Sequence, residues 1–378
     1  MKVSEYVSLG HPDKTADYIS EYILDRLIEQ DSKTRYGLEV QVKDNYVTLG
    51  GEITTNAKKL KYKKWVKEAI EKIGYTHEYA KKWGKNNCLD ASKVKVATHI
   101  SKQSHDIAIG VDEDKNQGWG DQGQFWGYSS NAPLFKNMGF GYYVAKMLAQ
   151  SLYNEALQYP NSFGLDIKTQ VTTDDTDTIV RKIVVAIPTL RDKQVTETFV
   201  KEVICDVQNV YVGEILDSDA GAYRIDDFEN IELIVNGTGA YITHSSIGDC
   251  GTTGRKLAVD FYGGDCIIGG GSPWTKDSTK ADLTLNMYAR ELAVAYGKKY
   301  KKPVRVSIGC CIGRSNLDIT VYDDANKRLS SYSTKITPLE LTNRYNLQTP
   351  IYAYMCKQGI VSYMNELQEA NERILANV

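Results

Sequence analysis

The amino-acid sequence predicts an α+β protein made of three similar αββα-type units. The first observation is the length of 378 residues, which exceeds one ordinary hydrophobic core and suggests two or three domains. The second is an order of helix, strand, strand and helix that occurs three times along the chain. Because each unit would pack a sheet against helices, three such units predict three α+β layers.

Helices are predicted where apolar residues recur every three or four positions, and strands where apolar and polar residues alternate. The first unit consists of a helix that begins after Pro12, strands over residues 36–43 and 46–53, and a helix over 58–73. The second unit consists of a helix over 142–157, strands over 167–173 and 179–187, and a helix over 195–207. The third unit consists of a helix over 283–296, strands over 304–312 and 317–322, and a helix over 338–345.

These units divide the chain into domains. We predict an N-terminal domain over residues 1–100, a central domain over 124–235 and a C-terminal domain over 236–378, with terminal segments free to exchange between domains. Residues 101–123 are polar and rich in glycine and aspartate, and a loop of this length is usually a functional lid or a linker. Residues 237–271 contain ten glycines, which permit close approach to a ligand but equally fit turns between short strands.

Charge and hydropathy exclude some classes of function. The net charge is −2, so the chain has no general electrostatic attraction for nucleic acid or an anionic membrane. No apolar run approaches the length of a membrane span. The first residues lead into no apolar signal region, and we therefore expect a cytoplasmic protein.

Reactive side chains concentrate in two distant segments. Residues 10–14, Gly-His-Pro-Asp-Lys, place an imidazole, a carboxylate and an ammonium group within four positions. Residues 269–277 combine three glycines with a lysine and an aspartate, and Lys280 and Asp282 follow. We expect the fold to bring these segments together around a polyphosphate, because the low net charge requires any anion site to be local.

Eight short motifs occur in an order and spacing typical of one enzyme family. They are SLGHPDK at 8–14, GGEITT at 50–55, KQS at 102–104, GDQG at 120–123, DIKTQV at 166–171, GDCG at 248–251, TGRK at 253–256 and the triple-glycine lysine segment at 269–276. With these motifs the chain resembles the S-adenosylmethionine synthetase family over nearly its whole length, as a divergent member.

The resemblance implies a fold, a reaction and partners. The family fold has three similar α+β domains in a pseudo-threefold arrangement. Its members join the sulfur of methionine to C5′ of ATP, release the triphosphate and hydrolyse it to pyrophosphate and phosphate. They use Mg²⁺, two ions per site, and K⁺. They form dimers or tetramers whose active sites lie between subunits.

The family positions also imply roles for individual residues. The catalytic residues would be His11, Lys168, Arg255, Lys256, Lys276 and Lys280. The ATP-binding residues would be His11, Lys14, Asp166, Lys168, Ala240, Tyr241, Asp249, Arg255, Lys256, Ser272 and Lys276. The methionine-binding residues would be Glu52, Gln103, Asp121, Asp249 and Lys280. The metal ligands would be Asp13 and Asp282 for Mg²⁺ and Glu39 for K⁺, and residues 103–113 would form a lid over the site.

Several of these residues have a structural alternative. A lone histidine is more often structural than catalytic, and a single lysine is usually a solvated surface residue. Asp13 follows a proline at a helix start, where an aspartate commonly caps the helix. Glu39 is equally compatible with an ordinary exposed strand position.

The chain also departs from the family pattern. The family has Arg-Phe where this chain has Ala240-Tyr241, and Tyr241 can stack on adenine whereas Ala240 cannot replace a guanidinium group. The family has Gly-Gly-Pro where this chain has residues 244–246, His-Ser-Ser. These differences leave two other hypotheses open: a non-catalytic homologue that binds ATP or S-adenosylmethionine, and a triphosphatase that no longer forms S-adenosylmethionine.

Overall fold

The computed structural model describes residues 1–103, 118–212 and 223–376. Its strands are β1 (Lys2–Val7), β2 (Arg35–Lys43), β3 (Tyr46–Thr54), β4 (Lys95–Ser101), β5 (Gly123–Ser129), β6 (Lys168–Thr173), β7 (Ile179–Ala186), β8 (Arg224–Ile225), β9 (Glu232–Val235), β10 (Gly251–Thr252), β11 (Val304–Cys310), β12 (Asn316–Asp323) and β13 (Arg328–Lys335). Its α-helices are α1 (Pro12–Ile28), α2 (Tyr62–Ile73), α3 (His77–Trp83), α4 (Phe140–Gln158), α5 (Lys193–Val207), α6 (Ser245–Gly248), α7 (Leu257–Asp260), α8 (Ala281–Tyr300), α9 (Pro338–Arg344), α10 (Tyr352–Gln358) and α11 (Ile360–Ala376). This content confirms the predicted α+β fold class.

The strands form three sheets in the described part of the chain, and their orders are β10-β2-β3-β4, β13-β12-β11-β5, and β1-β6-β7-β8 with β9 also paired to β7. The first sheet is built on an antiparallel β2–β3 pair that turns at Asp44, whose φ of 53° lies in the left-handed region. Leu38 and Val40 of β2 are buried on the face that α1 covers. The alternating residues Gly37 and Glu39 lie on the other face, which is more exposed.

Two strands pair with a strand from the sequence region of another predicted domain. β1 lies in the sequence region of the N-terminal domain, yet it pairs with β6 in the central sheet. β5 lies in the region of the central domain, yet it pairs with β11 in the third sheet. Strand pairing depends on which sheet edge a strand can reach, and the sequence pattern of one strand does not reveal its partner.

Each predicted helix and strand is observed within about four residues of its predicted ends, but β1, β4, β5, β13, α3, α10 and α11 are among the observed elements that were not predicted. The helix predicted over 58–73 begins only at Tyr62, and Leu60 is exposed rather than part of its buried stripe. β13 was not predicted from the sequence, because its serines, threonine and charged residues produce little apolar alternation. No helix within the described ranges is both long enough and apolar enough to cross a membrane.

Helix α1 carries a row of carboxylates that joins distant parts of the chain. Asp13, Asp17, Glu21 and Asp25 recur every fourth residue, and all four are buried. We call them the acidic row. Each accepts main-chain N–H groups from the C-terminal half: Thr252 at 2.9 Å to Asp13, Gly254 at 2.9 Å to Asp17, Thr275 at 2.6 Å to Glu21, and Tyr352 and Ala353 at 2.9 Å each to Asp25. The acidic row thereby fixes the segments that carry the C-terminal candidate site residues.

Candidate active site

The residues just before α1 are held against the entry to β6. The hydroxyl of Ser8 donates to the carbonyl oxygen of Leu165 at 2.5 Å. A Cβ atom on Gly10 would lie 2.3 Å from the same oxygen, so only glycine fits there. This close packing places Lys168, the first residue of β6, near His11, where its charge acts on the imidazole.

His11 is buried at the N-cap of α1, and its contacts determine its protonation. Its Nδ1 accepts the main-chain N–H of Asp13 at 3.1 Å. Burial, together with the positive charges of Lys256 and Lys168, lowers the pKa of His11 to about 3. The imidazole is therefore neutral at physiological pH with its proton on Nε2, and it can act as a hydrogen-bond donor.

Asp13 is the centre of the first carboxylate–lysine pair. Its Oδ2 accepts from Nζ of Lys256 at 2.6 Å, its Oδ1 accepts the N–H of Thr252, and Arg255 lies 3.7 Å from Oδ1. Burial raises the pKa of Asp13, but the hydrogen bonds from Lys256 and Thr252 lower it by more, and the net pKa lies below its usual value. Asp13 is therefore ionised, with two cations beside it.

Asp282 is the centre of the second carboxylate–lysine pair. It lies in the first turn of α8, where its Oδ1 accepts the N–H of Gly271 at 2.8 Å and its Oδ2 pairs with Nζ of Lys276. A Cβ atom on Gly270 would lie 2.8 Å from Oδ1, and Gly270 adopts a φ of 71°. Glycine in this segment therefore lets the chain wrap around the carboxylate.

Strand β2 places Glu52 and Lys276 on one side of the first sheet. Glu52 of β3 pairs with Gly37, and Gly37 forms an antiparallel bridge with Lys276 on its other side. Laterally paired residues lie on the same face of a sheet, at about 10 Å across two strand spacings. Both residues therefore belong to the exposed face that also carries Glu39.

Glu39 lies where two segments meet along the edge of β2. Its carboxylate accepts from the hydroxyl of Thr253 and, at 3.2 Å, from the hydroxyl of Thr275. Thr253 precedes the Arg255–Lys256 pair, and Thr275 precedes Lys276. Glu39 thus joins the two cation-bearing segments through an oxygen-rich cluster.

Asp166 has an unpartnered oxygen in a buried position. Its Oδ2 accepts from the hydroxyl of Tyr241 at 2.9 Å and from the N–H of Ser245 at 3.0 Å. Its Oδ1 is buried and has no partner among the described residues. Burial raises the pKa of Asp166 to about 6. A buried acceptor without a donor is a strong pointer to a ligand group.

The remaining predicted residues are all exposed or half-buried. Ala240 and Asp249 are exposed, Asp249 accepting the N–H of Cys250 at 2.8 Å, while the hydroxyl of half-buried Ser272 accepts the N–H of Trp274 at 3.1 Å. The N–H of Gln103 donates to the Thr54 hydroxyl at 3.2 Å, exposed Asp121 accepts the N–H of Gln122 at 2.8 Å, and half-buried Lys280 is the N-cap of α8. Apart from Gln103, the predicted lid lies outside the described residues up to position 113.

Lys14 differs from its predicted role in ATP binding. Its side chain is only 5% exposed, and Nζ contacts Asp17 at 3.1 Å and Asp260 at 2.6 Å. The ammonium group also lies 4.7 Å from the ring of Trp274. Successive residues of a helix diverge by about 100°, so Lys14 points away from the direction of Asp13. We therefore reassign Lys14 to a buried ion-pair cluster of the core.

The sequence reasoning missed two sets of residues around the site. The first is the remainder of the acidic row, although acidic residues at every fourth position of a predicted helix were a readable pattern. The second is Tyr79 with His244, whose contact spans 165 positions. No local pattern in the sequence indicates that second contact.

Comparison with known proteins identifies relatives of the chain and its family. A family model described as the N-terminal domain of S-adenosylmethionine synthetase matches residues 1–105, and a model of the C-terminal domain matches residues 243–370. The S-adenosylmethionine synthase of Leuconostoc mesenteroides is 33% identical over 368 residues, which cover 92% of this chain and 90% of that protein. That of Clostridium tetani is 32% identical over 388 residues, covering 94% and 92%.

A solved structure is similar over almost the whole chain. It is described as an unusual S-adenosylmethionine synthetase from Campylobacter jejuni, and it has a TM-score of 0.83 with this protein at 29% sequence identity. The similarity covers 98% of each chain. The shared fold therefore includes the central region, between the parts that the two family models match.

Proposed function

This chain belongs to the S-adenosylmethionine synthetase family, and from this premise we propose that it is a methionine adenosyltransferase whose chemistry rests on the residues described above. The enzyme converts ATP, L-methionine and water to S-adenosylmethionine, phosphate and pyrophosphate. The sulfur lone pair forms a bond to C5′ of ATP, and the electrons of the C5′–O bond leave with the triphosphate. The thioether has no proton to lose, so the site requires no general base for this step.

The protonation of His11 is the observation that supports this reaction best. Negative charge grows on the oxygen that leaves C5′, and a donor aimed at that oxygen stabilises the transition state more than the ground state. Because Nδ1 is occupied by the N–H of Asp13 and the ring is neutral, Nε2–H is a fixed donor. We assign Nε2–H of His11 to the leaving oxygen.

The cations are assigned to the triphosphate. Lys168, Arg255, Lys256 and Lys276 would neutralise its oxygens, and Lys280 would lie between the triphosphate and methionine. The two carboxylate–lysine pairs support this assignment. When a triphosphate with its metal ions binds, each lysine can exchange its carboxylate for a phosphate oxygen, and the carboxylate can then bind the metal ion.

Asp13 and Asp282 are assigned to Mg²⁺, which prefers carboxylate and phosphate oxygens. Each of the two residues supplies one carboxylate, which fits this ion because Mg²⁺ is usually bound through one or two carboxylates together with substrate phosphates. Isolated carboxylates suit an ion that is shared with substrate phosphates. When bound, Mg²⁺ would offset the charge of the leaving triphosphate. Glu39 with its two threonine hydroxyls provides oxygen ligands of the kind that K⁺ takes.

The substrates are assigned to the flanking residues. The unpartnered Oδ1 of Asp166 would accept a hydroxyl or amino donor of the nucleoside, with Tyr241 and Asp249 beside it. Glu52, Gln103 and Asp121 would bind the amino-acid head group of methionine. The position of Glu52 on the same sheet face as Lys276 supports this assignment.

We further infer that the active site needs two copies of the chain. Lys276 belongs to the exposed face of the first sheet, whereas Asp13 lies in the first turn of α1, which covers the opposite face. A second copy on the exposed face would complete both sites. If so, a mixture of inactive Asp13→Asn and Lys276→Met chains should recover about a quarter of wild-type activity after subunit exchange. If light scattering shows a monomer and that monomer is fully active, this inference is refuted.

One assay tests the function. The protein is incubated with ATP, methionine, Mg²⁺ and K⁺, and S-adenosylmethionine and phosphate are measured beside a reaction that contains tripolyphosphate alone. We expect both products. Phosphate without S-adenosylmethionine would identify a triphosphatase, and neither product at substrate-level enzyme concentrations would leave only a binding protein.

His11→Asn tests the role of the imidazole. Asparagine still caps a helix, so α1 should remain folded. We expect S-adenosylmethionine formation to fall by about 10²- to 10³-fold, as for the loss of a transition-state hydrogen bond. Hydrolysis of added tripolyphosphate should change much less, because it does not break the C5′–O bond. Equal loss of both activities would contradict this role.

A further inference from the structure

The segment from Tyr241 to Ser245 carries the hydroxyl and the N–H group that donate to Oδ2 of Asp166. A buried histidine, His244, holds this segment in place. His244 is 1% exposed. Its Nδ1 lies 2.8 Å from the carbonyl oxygen of Ile242, and its Nε2 lies 3.0 Å from the hydroxyl of Tyr79. A carbonyl oxygen can only accept, so Nδ1 carries the proton and Tyr79 donates to Nε2.

The aromatic side chains of α3 and of Tyr75, two residues before that helix, surround this imidazole. The ring of Trp83 lies 4.5 Å from that of His244 in an edge-on arrangement, and the ring of Tyr79 lies 6.2 Å away. The ring of Tyr75 lies 6.1 Å from that of His244, and its hydroxyl donates to the carbonyl oxygen of Gly10 at 2.6 Å. The same cluster therefore contacts both the 241–245 segment and the residue before His11.

The backbone beside His244 needs such support. Ser245 has a φ of 56°, in the left-handed region that disfavours residues with a Cβ atom. Its N–H nevertheless has to point at Oδ2 of Asp166, at 3.0 Å. The N–H of His244 donates to the carbonyl oxygen of Asn87 at 2.8 Å, and the hydroxyl of Ser245 accepts the N–H of Leu89. These bonds hold the strained turn in place.

We propose that His244 and Tyr79 are positioning residues for nucleotide binding, which fix the 241–245 turn so that Oδ1 of Asp166 remains free for the nucleoside. This inference rests on the proposed function, because it assigns Asp166 to the nucleoside. The buried and unpartnered Oδ1 is the independent pointer to a ligand donor. Burial lowers the pKa of His244 to about 4, so the neutral ring keeps this arrangement at physiological pH.

Loss of the His244–Tyr79 contact should affect nucleotide binding and tripolyphosphate binding differently, whereas global unfolding would abolish both. The His244–Tyr79 contact supports Asp166 and Tyr241 at the nucleoside end. Two of the cations assigned to the triphosphate, Lys256 and Lys276, are held elsewhere, by Asp13 and Asp282. Loss of His244 should therefore weaken binding of a nucleotide while leaving the binding of tripolyphosphate almost unchanged.

The experiment compares His244→Ala, His244→Asn and Tyr79→Phe with the wild type. KM for ATP and the dissociation constant of a non-hydrolysable ATP analogue are measured beside KM for tripolyphosphate hydrolysis. We expect the ATP constants to rise about tenfold in His244→Ala, as for a lost buried hydrogen bond, and the tripolyphosphate constant to stay within about twofold. Asparagine can imitate Nδ1–H, so His244→Asn should recover part of the loss.

His77→Asn is the matched control, because His77 is the first residue of α3 and its side chain is 39% exposed. It should leave all constants unchanged. If His244→Ala fails to fold, Tyr79→Phe removes a single hydroxyl and tests the same contact. Equal weakening of both ligands, or unchanged ATP constants in folded variants, would overturn the proposal. A wild type that binds the ATP analogue without forming S-adenosylmethionine would instead refute the proposed function.

Discussion

The first turn of α1 and its later turns carry the same kind of residue in different states. Asp13 pairs with Lys256 close to Arg255, and its pKa lies below the usual value. Farther along the helix, burial raises the pKa of Asp25 to about 6, and burial likewise holds that of Glu21 well above its usual range. Every one of these carboxylates accepts a main-chain N–H group from a distant segment.

The difference shows what separates a site carboxylate from a structural one in this protein. A main-chain N–H donor alone does not offset the desolvation of a buried carboxylate, as Glu21 illustrates. For Asp13, the hydrogen bonds from Lys256 and Thr252 together outweigh burial, whereas burial raises the pKa of Asp17 to about 6 even with Lys14 at 3.1 Å. Within the acidic row, Asp13 alone has a pKa below its usual value, and Asp13 is the carboxylate that we assign to Mg²⁺.

The contrast between Asp13 and the later carboxylates of the acidic row would be wrong if Asp13 had only a structural role. In Asp13→Asn the amide oxygen can still accept the N–H of Thr252, but the charge is lost. We expect S-adenosylmethionine formation to fall by about 10²- to 10³-fold, while the free energy of unfolding changes by no more than about 1 kcal/mol. Steady-state kinetics and denaturant unfolding measure the two effects. A large loss of stability with activity retained would reverse the interpretation.

Lys14 sharpens the contrast, because it adjoins Asp13 in sequence but belongs to the core. Lys14→Met would leave Asp17 and Asp260 buried without their cation, and we expect the free energy of unfolding to fall by about 3–5 kcal/mol. KM for ATP in the folded protein should be unchanged. Lys64→Met removes an exposed lysine and serves as the control, with an expected change below about 0.5 kcal/mol. A raised KM for ATP with an unchanged free energy of unfolding would instead support a role of Lys14 in binding the triphosphate.

Asp166 extends the comparison to pH. Its pKa of about 6 means that it becomes protonated in mild acid, whereas Asp13 remains ionised there. Protonation removes an acceptor for the nucleoside, so kcat/KM for ATP should fall about tenfold per pH unit below the pKa of Asp166. In Asp166→Asn the value should be lower at neutral pH and lack this dependence. A wild-type profile that is flat down to about pH 5 would exclude Asp166 from nucleotide binding.

Glu21→Gln should produce the smallest effect. The amide closely matches a protonated carboxyl group and can still accept the N–H of Thr275, so we expect a loss below about 1 kcal/mol near pH 4. Because the pKa of Glu21 is raised in the folded state, its contribution is present below the unfolded pKa and is lost as pH rises through the folded value. The variant should therefore gain stability relative to the wild type with rising pH. If the variant instead becomes less stable than the wild type as pH rises, Glu21 is ionised in the folded protein.

Much of the local structure could be predicted because its causes are local. Apolar spacing located α1, α4 and α8 within a few residues of their observed ends, and alternation located β2, β3 and β7. The polar strand β13 lacked that alternation. The candidate site residues came from motif resemblance, and their spacing in the chain did not reveal which of them touch.

Tertiary contacts account for what the prediction missed. The motif at residues 8–14 predicts that Lys14 binds ATP with its neighbours, yet its side chain leaves the helix towards Asp260, 246 positions away. β1 pairs with β6 across more than 150 positions, so no nearby residue indicates the sheet that it joins. His244 depends in the same way on Tyr79, in a different part of the chain.

The sequence by itself determined the fold class, the principal helices and strands, and the family with its reaction, because periodicity and ordered motifs are properties of short segments. The tertiary structure decided which residues of those motifs can act. It buried Lys14, gave His11 a neutral ring with its proton on Nε2, and kept one oxygen of Asp166 without a partner. Charge state and hydrogen-bond capacity depend on desolvation and on neighbours distant in sequence, and only the folded chain brings those together.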